Sequence, residues 1–498
     1  MWKFALIPVF SLLVVWTWQF LNWAWLKPRK TEKLFRQQGM KGNPYTFLFG
    51  DAKETGLMYE KAYSKPIGFN DDLTSRLMPN ILHNVQKYGN YSFSWAGPRP
   101  RVFILDVDVA RDAMNKHSSY AKTFKIATDL VKMLFDGGFA ILEGKEWSKF
   151  RSKVNPFFNM DKLKPLVPAF QLCSADVLKN WNERISKEGG SSVIDVFPDL
   201  EIFTGAILAQ LMFSSTYTEQ IKQTFLQIGY LPTQPNRRAN EIVNYARASF
   251  KSMINDRLQR KAGAPVSGKM DLLDILIEKL YAGEVTKRER HKIIEDAIAE
   301  CKTFFFAGFE TSSTLLTWTI IMLAYHQDWQ ARAREEVFQV LGDKKDITSD
   351  DLGKLKIVAM IINEVLRLYP PVIELSRVVK EESKIKDYVI PKDALVTFPV
   401  LMYHRSTKIW GEDAGEFNPQ RFADGVLKAA NGEAAFMPFG WGPRICIGMN
   451  FAILETKTFM SMLLREFSLE FSPTYTHAPV VAFTIQPEKG APVVMKKL

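Results

Sequence analysis

Near the C-terminus, Phe439-Gly440-Trp441-Gly442-Pro443-Arg444-Ile445-Cys446-Ile447-Gly448 sets one cysteine among glycines, just before an apolar helix expected to start near Met449. Glycines let the backbone turn tightly and approach a flat group, so that amides can point at the Cys446 sulfur. A thiolate held in this way can bind iron. Such ligation pushes electron density onto the metal and favours O–O cleavage, the electronic requirement for inserting oxygen into an unactivated C–H bond. A place at a helix N-terminus favours the anionic form of Cys446. Arg444, with Phe439 and Gly440 in the same loop, suits contact with a haem and its propionates. For a cysteine taken alone, the alternative is an inert residue in a Gly-rich turn.

A second constellation lies around Ala307-Gly308-Phe309-Glu310-Thr311, where Thr303, Ala307, Thr311 and Thr314 recur at helical spacing on one face. Glycine inside a helix costs about 1 kcal/mol relative to alanine, and Gly308 suggests a local widening where O2 could sit. Thr311 would then steady the oxygen and relay protons, with Glu310 as the acid. The alternative is an ordinary packing face. Glu364 and Arg367 are three residues apart among apolar neighbours and so share a buried helical face. Breaking a buried charge network costs ~3–5 kcal/mol, so a third member is expected, and Arg421 in Phe417-Asn418-Pro419-Gln420-Arg421-Phe422 is the candidate. Its role would be to hold the cysteine loop. Trp147 and Arg151, one helical turn apart, could bring an indole N–H and a guanidinium to the propionates, or be a packed tryptophan beside a solvated arginine. Arg377 is a further propionate candidate. His404 and His477 read as ordinary polar residues.

The elements that must position these groups are mostly helical. Amphipathic patterns cover 169–184, 241–261, 271–281, 293–326, 329–341 and 350–369. Short strands are expected at 101–106, 386–390 and 394–399, the last two joined by a turn at Pro391-Lys392-Asp393, with a further hairpin over 480–496. The fold class is thus mainly α with a small β subdomain. No linker or repeat divides the 498 residues, and 47% hydrophobic with 24% charged residues is a globular composition. Cys173, Cys301 and Cys446 are far apart, which excludes a disulfide framework and a zinc site. The net charge of +11 is scattered without interleaved aromatics, so no nucleic-acid partner is expected. An anionic membrane or an acidic protein partner fits it better.

Residues 4–26 carry no charge and are long enough to span a hydrocarbon core of ~30 Å. Lys27, Arg29, Lys30, Lys33 and Arg36 follow the run, which would leave the remaining chain in the cytosol. The expected organisation is a membrane anchor at 1–26, a basic Pro/Gly hinge at 27–45 and one domain at 46–498.

In this order and spacing, the helix with Thr311, the Glu364–Arg367 pair, the Arg421 motif and the Cys446 loop resemble the cytochrome P450 family over essentially the whole chain. Asn22 to Arg29, Gly42-Asn43-Pro44-Tyr45, Trp410-Gly411-Glu412-Asp413-Ala414 and Phe417-Asn418-Pro419 further resemble a plant microsomal group that includes secologanin synthase and several triterpenoid and gibberellin oxidases. The resemblance implies the P450 fold with an N-terminal transmembrane helix, haem b on Cys446, and NADPH electrons delivered by NADPH–cytochrome P450 reductase. It also implies a single-pass endoplasmic reticulum protein. The expected pocket draws on Phe124, Ala307, Val372, Glu374 and Phe483, an apolar lining suited to a terpenoid, in which Glu374 could orient a hydroxyl or pair with Arg377. A loganin-type iridoid is the first expected substrate, with a triterpenoid or gibberellin next. An O2-independent isomerase or dehydratase, or an inactive membrane-anchored binding protein, are the alternative classes. The connection between Tyr217 and Leu231 looks shorter than in that group, which bears on the pocket roof.

Overall fold

The longest helix of the computed structural model among the described residues runs from Lys287 to Tyr325 and carries both Glu310 and Thr311. The described residues are 2–123, 132, 135–213, 247–248, 250–255, 258, 273–274, 287–432 and 434–498. Most of the expected helices 241–261 and 271–281, the connection after Tyr217, and Phe124 lie outside them.

Apolar residues on every face explain the burial of the long helix, with Phe305, Leu316, Trp318 and Ile320 all inside the main core. Helix Val196–Phe213 packs along it. Helices Val167–Lys187, Gln327–Leu341, Lys356–Leu368 and Met449–Glu466 complete this half of the molecule. The pattern over 350–369 resolves into two helices, Ser349–Lys354 and Lys356–Leu368, because Leu355 turns to ψ 89°. Thr348 and Asp351 form a reciprocal capping box at the first of them.

The second core lies against a six-stranded sheet in the order Lys41–Gly42, Tyr91–Ala96, Arg99–Ile104, Leu395–Phe398, Leu375–Val379 and Tyr120–Lys122. The expected hairpin across Pro391–Asp393 does not form. Tyr388–Ile390 pairs instead with Ser383–Ile385, and Leu395–Phe398 enters the large sheet beside Arg99–Ile104 and Leu375–Val379. The C-terminal hairpin also divides. Pro479–Val481 pairs with Ile485–Pro487, while Pro492–Lys497 joins Phe467–Phe471 and Ser191–Asp195. Pro487 lacks an amide donor and Gly490 turns at φ +74°, so one continuous pair could not cross both.

The chain is helical over Trp2–Leu21, passes through a π-helical turn at Asn22–Leu26 and continues as helix Lys27–Gln37. The uncharged stretch is therefore split, and among the described residues no helix is long and apolar enough to cross a membrane. The stretch 27–45 is docked, with Phe35, Met40 and Tyr45 buried and Lys41–Gly42 paired to Tyr91–Ala96. Gln38 fixes it further, donating to the Val389 carbonyl and accepting from the Val389 amide.

Candidate active site

The cysteine loop is built on close backbone approach. Gly442, at φ +71°, lies where a Cβ would fall 2.7 Å from Asn115 Oδ1 and 3.1 Å from the Met114 carbonyl, so only glycine fits. The Cys446 amide donates to the Phe439 carbonyl at 2.9 Å, and the Gly440 amide to that of Met437 at 3.0 Å. Cys446 presents accessible surface, yet protein atoms densely surround its thiol. That enclosure pushes its thiol pKa up. The amides of Gly448 and Met449 at the next helix, with Arg151 and Lys122, pull it back. The helix N-terminus thus acts in the expected direction, but burial outweighs it.

The small-residue face of the long helix divides. Ala307 is exposed and Thr311 half-exposed, whereas Thr303 and Thr314 are buried. An exposed alanine between the buried Phe305 and Phe309 marks an inner wall. Thr311 Oγ1 donates to the Ala307 carbonyl at 2.8 Å. Glu310 turns away from that wall. Its Oε1 accepts from Thr484 Oγ1 at 2.8 Å and Gln486 Nε2 at 2.6 Å, and burial raises its pKa. Gly308 does not widen the helix. A Cβ there would meet Leu208 Cδ1 at 2.7 Å, and Thr204 of the same neighbouring helix donates to the Phe309 carbonyl at 3.0 Å. The glycine serves close helix packing.

Glu364 and Arg367 are fully buried and joined by two bonds of 2.7 Å. Arg367 also donates to the carbonyls of His404, Ala414 and Glu416, and Glu364 accepts from the Asn418 amide. Arg421 Nε lies 3.5 Å from Glu364, but the stronger contacts of Arg421 go to Asp413 and the Trp410 carbonyl. His404, read from sequence as an ordinary polar residue, connects this network to the cysteine loop. Its Nε2 accepts from the Met437 amide at 3.0 Å, and its Nδ1 lies 3.2 Å from the Arg367 carbonyl. Burial, then the Arg367 charge, lowers its pKa to about 3, so the ring is neutral, accepting at one nitrogen and donating at the other.

A cationic group lies near Cys446. Arg444 stacks on Trp147 with 4.1 Å to the ring centre, donates to the Leu142 carbonyl and lies 3.0 Å from Glu143. Its Nη1 is buried without a partner. Arg377 donates to the Ser376 carbonyl, and Arg151 is half-buried one turn beyond Trp147. Lys122, which no motif marks, belongs to the same group. Burial, then Arg377 and Arg444, lowers its pKa to about 7; burial, then Arg444, lowers that of Arg377 to about 10. Glu143 is shared by Arg444 at 3.0 Å and Lys380 at 3.3 Å, with Lys122 and Arg377 in its field and Arg151 beside Arg444, so positive charge is in excess and the unsatisfied Arg444 nitrogen calls for an anion. A flat group bearing two carboxylates, beside an accessible sulfur, matches this donor set. Haem b fits.

Beyond Ala307, aromatic rings line the space. Phe483 stacks on Phe135 at 5.7 Å and meets Phe306 at 4.9 Å. Val372 and Ile373 precede Glu374, which is held by Arg101 Nη2 at 2.6 Å rather than by Arg377.

The comparisons agree with this geometry. The family model described as Cytochrome P450 matches residues 73–491. Secologanin synthase 1 of Catharanthus roseus is 42% identical, over 98% of this chain and 97% of that protein. The 7-deoxyloganic acid hydroxylase of the same plant is 40% identical, over 98% and 97%. The retinoic acid-bound cyanobacterial CYP120A1 superposes with a TM-score of 0.74 at 21% identity, covering 92% of this chain and 99% of that one. With a family match across most of its length and relatives of this identity, the chain belongs to the cytochrome P450 family and is a haem-dependent monooxygenase of the plant type that draws its electrons from NADPH through a reductase.

Proposed function

We propose that this monooxygenase oxidises a terpenoid, and first among these a loganin-type iridoid, by hydroxylation or oxidative ring cleavage. The observation that carries the substrate class is the wall of Phe135, Phe306 and Phe483 beside Ala307, an apolar surface with few polar groups. The names of relatives about as similar to it as secologanin synthase 1 and 7-deoxyloganic acid hydroxylase point the same way. A triterpenoid or gibberellin is the next choice.

On this reading the Cys446 sulfur would hold the haem iron, while Arg444, Arg377, Arg151 and Lys122, with Trp147 beneath Arg444, would hold the propionates. When bound, the haem supplies oxygen activation at a thiolate-ligated iron. The chain supplies position and protons. Thr311 presents its hydroxyl at the inner wall, and Glu310, kept protonated to higher pH by burial, replenishes protons from the Thr484 and Gln486 side. Glu364, Arg367, Arg421 and His404 hold the loop and take no part in proton delivery. Bare aromatic and aliphatic residues of the N-terminal helix, among them Trp16, Trp18 and Trp23, suit association with the endoplasmic reticulum membrane, leaving the domain on its cytosolic side.

The test is turnover by the full chain with a plant reductase and NADPH, offering loganin, a triterpenoid and a gibberellin separately. The expected result is NADPH-dependent oxidation of loganin. Oxidation of the triterpenoid or gibberellin with loganin untouched would transfer the assignment.

A further inference from the structure

A cavity of about 510 Å³ opens where the N-terminal helix meets the sheet, far in sequence from the cysteine loop. Its wall is Trp23, Lys27, Pro28 and Thr31 on one side, and the start of strand Arg99–Ile104 with the turn carrying Lys392-Asp393 on the other. Lys27 and Asp393 form an ion pair of 3.0 Å. Among the described residues, Arg99, though half-buried, and Lys392 have no acidic partner. Three cations thus face one carboxylate, which leaves two positive charges unbalanced in a recess.

The rim of the recess is apolar. Trp23 and Trp25 are 53% and 37% exposed, and Phe47 and Phe49 are 41% and 68% exposed. Trp25 packs on Phe47 at 5.7 Å, and Gly50, next to Phe49, bridges to Ala96 in the cavity wall. Exposed apolar residues continue along the N-terminal helix through Trp18, Trp16, Val15, Val14, Leu13 and Phe10, on all sides of it. Aromatic side chains of this kind sit at the level of lipid headgroups, and cations beside them meet the phosphate layer. Neither feature alone specifies a ligand. Together they place an anion site just below a lipid-facing surface.

We infer that the recess of Lys27, Arg99 and Lys392 binds the phosphate of an anionic phospholipid headgroup, whose acyl chains lie along the bare N-terminal helix. The inference rests on the membrane association proposed above and gives that association a lipid preference. Arg99 supplies a planar fork for two phosphate oxygens, and Lys392 a point charge, while Lys27 can exchange Asp393 for the lipid.

The experiment is flotation of the full-length, haem-loaded chain with phosphatidylcholine vesicles and with vesicles containing phosphatidic acid. The wild type is compared with R99Q/K392Q and with K354Q/K428Q, whose exposed lysines do not line the cavity. The wild type should prefer the anionic vesicles. R99Q/K392Q should lose about fivefold per charge removed while still floating with phosphatidylcholine. K354Q/K428Q should keep the preference. Equal loss in both variants would reduce the effect to general surface charge and overturn the site, as would an unchanged preference in R99Q/K392Q. Suppression of the wild-type preference by inorganic phosphate at constant ionic strength would assign the recess to free phosphate and overturn the lipid. Failure of the wild type to float with any vesicle would instead overturn the membrane reading, and the site with it.

Discussion

Glu455 is fully buried nine residues beyond Cys446, and neither of its oxygens has a hydrogen bond of good geometry. Burial raises its pKa to about 8, with the nearby Ser312 hydroxyl pulling it only partly back. In the unfolded chain the value returns to about 4.3. Between these limits the native state holds the extra proton, so its contribution to stability is complete below the lower value and declines as pH rises toward the upper one, by up to about 1.4 kcal/mol per unit. Glu455→Gln removes this titration. Its melting temperature should gain on that of the wild type from the acid to the alkaline end of the window, and parallel curves for the two proteins would show that Glu455 does not titrate as described. Glu310 differs because Thr484 and Gln486 both donate to it. Two buried acids on facing helices therefore serve different ends, one engaged in a polar chain and one sealed.

At the level of elements, His404 and Gly308 show what sequence patterns miss. The Glu364–Arg367 spacing is visible as a shared helical face, but the link from Arg367 to Met437 through one imidazole needs three segments brought together in space. His404→Leu strands the buried Met437 amide, and an unsatisfied donor costs ~1–3 kcal/mol. Denaturant titration should show that loss, together with a reduced fraction of thiolate-ligated spectrum; His404→Gln, which retains an acceptor, should recover part of both. A stable His404→Leu protein with an unchanged spectrum would rule out the positioning role. Gly308 was legible only as an anomaly in a helix, because its reason, Leu208, belongs to another element. Gly308→Ala should destabilise by ~1–3 kcal/mol, and Leu208→Ala in the same chain should relieve part of that cost. Strictly additive effects would separate the two residues. Strand partners were illegible for a similar reason: the alternation in Tyr388–Ile390 does not say whether Ser383–Ile385 or Leu395–Phe398 lies beside it. Lys122 carried no signal, since one lysine in a short strand looks like any edge charge.

Over the whole molecule, the long-helix, Glu364–Arg367, Arg421 and cysteine-loop motifs were readable because their order along the chain is specific. The packed state of residues 27–45 was not, because Pro and Gly there suggest a hinge until Phe35, Met40 and Tyr45 are seen inside the core. The fold gathers Cys446 and the cations Lys122, Arg151, Arg377 and Arg444 from helices, loops and a sheet edge hundreds of residues apart. The central claim is that Cys446 ligates haem iron there. It is tested most directly by the reduced, carbon-monoxide-bound difference spectrum of the full-length protein beside a Cys446→Ala variant. The account predicts the red-shifted Soret band of thiolate-ligated haem in the wild type and its loss in the variant. Folded wild-type protein without that band, or a variant that retains it, would contradict the claim.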